Sequence, residues 1–174
     1  YWRLVGNVSF RHNNAIMHCD SAYHYTTKQT MKAFGRIKIT QGDSIILTGS
    51  SLTYFGLENK ADIKGKVVFI DKYMTLKTDQ ILYNLSSNIA SYPSFGKIID
   101  NEKAINSKKG EYRSSSHNFI FKDSVTVVAK DYNILTENMR YNSNTETTYF
   151  FGPSYIVSNN KEIYCENGWY NTRT

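Results

Sequence analysis

The residues able to do chemistry are few and poorly grouped. His12, His18, His24 and His117 are the side chains able to relay protons near neutral pH or to ligate a metal. The first three recur every six residues, but a turn signal at Asn13-Asn14 separates His12 from the others. Cys19 has no second cysteine nearby, and no carboxylate completes a ligand spacing, so no metal site is expected. Asp20, Asp79, Glu137 and Glu166 form an acidic series of the type that serves general acid–base catalysis. Ser50 and Lys108 interrupt that series, and it is better read as a solvated edge that discourages wrong strand pairing. There is no Gly-x-Ser-x-Gly elbow, phosphate-cradling loop or His-Glu-x-x-His motif. Neither an enzyme nor a cofactor is expected.

The acidic series belongs to a larger regularity. His24, Tyr54, Tyr83, Tyr112, Tyr141 and Tyr170 are 30, 29, 29, 29 and 29 residues apart. The eight residues ending at each rung begin with Met17, Leu47, Leu76, Ile105, Ile134 or Ile163. Their third residue is small: Cys19, Gly49, Thr78, Ser107, Thr136 or Cys165. The chain is thus a repeat of about 29 residues, each unit covered mainly by its neighbours. Positions one and three share a face of a strand, whereas positions six and eight have the opposite parity. Burying both sets requires a bulge or corner near positions four and five.

A second element alternates with the ladder. Gly6-Asn-Val-Ser-Phe10, Gly35-Arg-Ile-Lys-Ile39 and Gly65-Lys-Val-Val-Phe69 read as half-buried strands, the glycine supplying the turn into each. Shorter apolar stretches such as Met31-Lys-Ala-Phe34 precede that glycine. No segment keeps an apolar period of 3.6, so the fold class is all-β. The polar patches Asn13-Asn14, Ser86-Ser87-Asn88, Ser114-Ser115-Ser116 and Asn142-Ser143-Asn144 are expected at hairpin tips or loops.

With 174 residues, 40% of them hydrophobic and 14% aromatic, the chain suffices for a single β domain spanning 1–174 with six repeats. No linker interrupts it, and both ends look like cut ends of a longer precursor. No apolar run is long enough to span a membrane as a helix. The net charge of +6 is spread along strands and loops, and the tyrosines are tied to the repeat, so nucleic acid is not an expected partner. Cys19 and Cys165 occupy the same repeat position in the first and last units, as small residues where the inward face narrows.

The combined pattern resembles the OstA-like (LptA-like) lipopolysaccharide-transport family. Gly6 to Phe10, Cys19-Asp-Ser-Ala22, Ala33-Phe-Gly35, Gly42-Asp43, Leu47 to Tyr54, Ala61-Asp-Ile-Lys-Gly65 and Leu76 to Tyr83 carry the likeness. It covers the whole chain, is strongest to about Tyr92 and is looser from Gly96 to Asp123. Ser50 and Lys108 depart from the family's Asp, and the richness in Asn and Tyr is similar to the form found in the Bacteroidetes group.

The resemblance implies a repeat-built, open antiparallel β-jellyroll, two twisted sheets facing each other like a folded taco. It implies a periplasmic protein holding the acyl chains of lipopolysaccharide or lipid A in an apolar slot between inner and outer membranes. Val8, Phe10, Ile37, Ile39, Leu47, Val67, Phe69, Leu76 and Ile105 would line the slot, although the same residues suit an ordinary core between two sheets. The terminal strands would pair end to end with further copies or with other transport proteins of the same fold. Two other readings fit the repeats. One is a soluble N-terminal docking module of an outer-membrane assembly protein. The other is a structural β-solenoid with no lipid cargo.

Overall fold

The computed structural model describes residues 1–12, 14–42, 45–72, 74–99, 103–158 and 161–171. Asn13 and Asp43, both named above, lie outside them. The described chain is built of antiparallel strands, with only two single-turn 3-10 segments, Gly56–Glu58 and Ser114–Ser116. It divides into two compact units, Tyr1–Ser87 and Asn88–Thr174.

The first unit is a meander of β1 (Trp2–His12), β2 (Ala15–Tyr25), β3 (Thr30–Gln41), β4 (Ile45–Phe55), β5 (Lys60–Ile70) and β6 (Thr75–Asn84). Each strand pairs with the next. The second unit opens with four short strands, β7 (Ile89–Tyr92), β8 (Gly96–Ile99), β9 (Lys103–Ser107) and β10 (Lys109–Arg113). Three long strands and an edge strand complete the set: β11 (Asn118–Ala129), β12 (Tyr132–Asn142), β13 (Thr147–Ser158) and β14 (Lys161–Asn171). β9 and β10 both pair with β11, along its second and first halves, so together they stand in for one long strand broken at Lys108. β7 pairs with β10 and β8 with β9, replacing another long strand broken over 93–95.

The glycines expected to turn the chain into a strand instead lie in mid-strand. Gly6-Asn7, Gly35-Arg36, Gly65-Lys66, Asp123-Ser124 and Gly152-Pro153 are the places where the pairing register jumps, two residues standing opposite one. The opposed residue is the fourth of the ladder: Asp20, Ser50, Asp79, Glu137 or Glu166. The bulges adopt left-handed backbone, as at Gly35 (φ 73°) and Arg36 (φ 42°). A stretch before the glycine and a stretch after it are therefore one strand with a corner, as a bulge dictates. The ladder changes parity at the expected place, with Met17, Cys19 and Ala22 all buried, but the extra residue sits on the neighbouring strands.

The acidic series consequently follows the corners, and only Glu166, on β14, also lies on an edge strand. Its members lie over the bulges of neighbouring strands. A Cβ on Gly35 would come within 2.9 Å of Asp20 Cγ, and Ser50 Oγ donates to Gly65 O at 3.1 Å. Arg36 Nε donates to Asp20 Oδ1 at 2.8 Å, bridging the corner on the solvent side.

Hairpin tips recur as regularly as the bulges. Gln29, Asn59, Asn88, His117 and Glu146 all take the left-handed conformation, 30, 29, 29 and 29 residues apart. Within each unit the tips are tied by backbone bonds, Leu85 N to Asn59 O at 2.8 Å and Ser143 N to His117 O at 3.1 Å among them.

Both units are folded over at the line of bulges. In the first, His12 at the far end of β1 meets Tyr54 near the opposite end of β4, ring centroids 6.4 Å apart. In the second, Lys103 at the start of β9 lies over the Tyr141 ring of β12, 4.2 Å from its centroid, although these residues sit at opposite ends of the sheet. Only two layers closed on one another bring such ends together, each covering the other's apolar face.

Candidate functional site

The feature that repeats with the fold is its inward face, which forms rows running across the strands. The residue after each bulge faces the small third ladder position: Val8 faces Cys19, Ile37 faces Gly49 and Val67 faces Thr78. Here the crease leaves little room, and a Cβ on Gly49 would lie 2.7 Å from Ile63 Cγ2. One step further out, Phe10, Met17, Ile39, Leu47, Phe69 and Leu76 stand side by side from β1 to β6. Ile98, Ile105, Val127 and Ile134 do the same in the second unit.

Eight of the nine residues proposed as lining share one layer of the first unit, the half of the sheet beyond the bulge, and Ile105 holds the corresponding place in the second. Seven are buried, Val8, Ile37, Leu47, Val67, Phe69, Leu76 and Ile105. Phe10 and Ile39 are half-buried. Sequence reasoning did not place the facing layer in the site. There Ala22, Ala33, Leu52, Ile63 and Ile81 form a row in the first unit, and Phe121, Met139 and Phe150 one in the second. The signal was the parity change, which carries the sixth ladder position inward with the first and third.

The aromatic rungs sit near the free margin of this layer. Tyr112 stacks on Phe119 at 4.3 Å, and Phe119 in turn lies 6.2 Å from Tyr141. Burial pushes the Tyr83 hydroxyl above its ordinary range. The Lys103 ammonium over Tyr141 places a cation at the lip of an otherwise apolar interior. Cys19 is a buried free thiol whose pKa is raised, by burial first and by Asp20 second. Cys165 is a half-buried free thiol on β14. Among the described residues, no three His, Cys, Asp or Glu side chains come together as metal ligands.

The last strand breaks the pattern of burial. Ile134 on β12 is 8% exposed, but Ile163, at the same ladder position on β14, is 52% exposed. Among the described residues β14 pairs with β13 alone, which leaves this inward position half open.

These rows, corners and rungs are the features on which the family likeness rests. The chain belongs to the OstA-like protein family, whose model matches residues 1–137. The all-β antiparallel architecture expected of an OstA-like chain is the one observed. Among solved structures it is similar to LptH of Pseudomonas aeruginosa, described as the LptA-homologous periplasmic component of the conserved lipopolysaccharide transport device. The two are 15% identical with a TM-score of 0.34, over 77% of this chain and 79% of that one. No curated protein matches. No helix among the described residues of this OstA-like chain is long and apolar enough to cross a membrane.

Proposed function

We propose that the chain is a periplasmic bridge protein that carries the acyl chains of lipopolysaccharide between the two layers of its folded sheet. The observation that carries this reading is continuity. The inward face stays apolar within each unit, from Phe10 to Leu76 across the first and from Ile98 to Ile134 in the second.

Acyl chains entering this interior leave water, and each buried CH₂ contributes about 0.8 kcal/mol. The layers are in contact at His12–Tyr54 and Lys103–Tyr141, so loading requires those lips to part. Charged headgroups stay outside, where Lys103 is the cation nearest the lip of the second unit. The interior has no energy source of its own, and directed movement comes from partners that push the lipid or pair with the terminal strands.

Site-specific photocrosslinking to lipopolysaccharide in cells tests the reading. Probes at Phe69 and Leu76 should crosslink, while one at Lys66, on a bulge with its side chain toward solvent, should not. A folded protein that crosslinks nowhere is a docking or structural module instead.

A further inference from the structure

The outer face of the second unit carries a group of side chains that the lipid reading does not use. Arg140, Tyr149 and Trp169 stand side by side across β12, β13 and β14, and Asn138, Phe151 and Asn167 form the next row. The Arg140 guanidinium lies 4.3 Å from the Tyr149 ring centroid and 6.0 Å from that of Phe151. Its Nε is buried without a hydrogen-bond partner, and among the described residues no carboxylate pairs with it. Trp169 is 69% and Phe151 45% exposed.

An Arg guanidinium lying against aromatic rings keeps its charged fork for a carboxylate or phosphate. Beside it, exposed aromatic rings offer flat apolar faces, and the two Asn side chains offer amide donors and acceptors. From Arg140 to Trp169 is two strand spacings, about 10 Å. A cation at one end, ring faces at the other and amides alongside complement a compact ring with an anion on one side.

We infer that this face binds an anionic sugar, a pyranose ring bearing phosphate or carboxylate, with Arg140 taking the anion and Trp169 and Tyr149 the ring. The site is distinct from the apolar interior and does not depend on it. The sugar's source is either a glycolipid headgroup or a free saccharide chain, the recognised chemistry being the same.

Saturation-transfer NMR with glucosamine 1-phosphate on the full chain tests this. Saturable binding is expected, weakened about tenfold or more by Arg140→Gln through loss of the charged fork. Trp169→Ala, at an exposed edge position, should weaken it as well, and it serves if Arg140→Gln fails to fold. Glucosamine and inorganic phosphate, tested separately, should each bind far more weakly. Deacylated lipopolysaccharide should compete as well as intact lipopolysaccharide. Absence of saturable binding, wild-type affinity in both variants, or phosphate alone binding as well as the sugar phosphate would each overturn the assignment. So would competition by intact lipid only, since acyl chains would then be the bound part.

Discussion

Tyr92 donates its hydroxyl proton to Ser107, Oη to Oγ 2.6 Å, because the Ser107 proton is already given to Lys109 O at 2.9 Å. The Tyr92 ring fills the space of two absent side chains. A Cβ on Gly96 would lie 2.4 Å from it and one on Gly110 2.2 Å. Gly96 stands opposite the small third position, where four of the other units carry Val8, Ile37, Val67 or Val125 and the last carries Ser154. One aromatic from a broken strand thus replaces the packing that two regular strands would supply.

Removing the ring should therefore be severe and removing the hydroxyl mild. Tyr92→Ala leaves a cavity between two glycines and should cost about 3–5 kcal/mol. Tyr92→Phe leaves one buried acceptor unpaired and should cost about 1 kcal/mol. Urea unfolding of both variants measures the difference.

The same tyrosine sets a pH dependence. Burial pushes its pKa up to about 12, from an ordinary value near 10, so the folded state holds the proton more tightly. The neutral form's stabilisation is complete below pH 10 and is lost as pH rises to about 12, roughly 3 kcal/mol in all. Unfolding free energy measured from pH 9 to 12 should fall more steeply for the wild type than for Tyr92→Phe.

At the bulges, steric room separates two otherwise similar glycines. Gly35 (φ 73°) is covered by Asp20, whereas a Cβ on Gly6 (φ 85°) meets nothing within 4 Å. Both alanine variants carry backbone strain of about 1–3 kcal/mol. Only Gly35→Ala must also displace Asp20 and its hold on Arg36, so thermal melts should show a clearly larger loss there.

The lip contact makes opposite demands on stability and loading. Lys103→Ala removes a cation–π contact worth about 0.5–2 kcal/mol. The variant should melt slightly lower yet take up a fluorescent acyl-chain probe faster in stopped-flow mixing, since one closure between the layers is gone. Unchanged uptake would mean the lips at Lys103 and Tyr141 do not gate entry.

Matched substitutions on two strands separate core from open edge. Ile134→Asp buries a carboxylate and should cost several kcal/mol, on the order of 3. Ile163→Asp lies on the exposed strand and should cost less than about 1 kcal/mol. If the edge is a pairing surface, Ile163→Asp should nonetheless weaken concentration-dependent association in sedimentation velocity.

The ladder was legible because side-chain type and backbone period coincide there: a fixed apolar residue, a fixed small one and a ring. The tips were legible as the polar patches Ser86-Ser87-Asn88, Ser114-Ser115-Ser116 and Asn142-Ser143-Asn144, but their left-handed residue was not, because Gln29, Asn59, Asn88, His117 and Glu146 share a conformation and no chemistry. The bulges were half legible. Glycine signalled unusual backbone, but Arg36, Lys66 and Ser124, which share it, gave no sign. The residues expected to line a slot were all drawn from the layer after the glycine, where alternation is regular. The facing layer is read correctly only once the parity change is followed through the corner.

The left-handed step at each bulge also restricts how such a sheet can vary. A strand slipped along its neighbour would put the corner out of line with the next one, so each strand admits a single alignment. Change is then confined to whole units. Adding or deleting about 29 residues alters the crease by one pair of strands, about 10 Å, and leaves every other corner in line. The length of the apolar crease in such a chain is a counted quantity, adjustable by duplication in discrete steps.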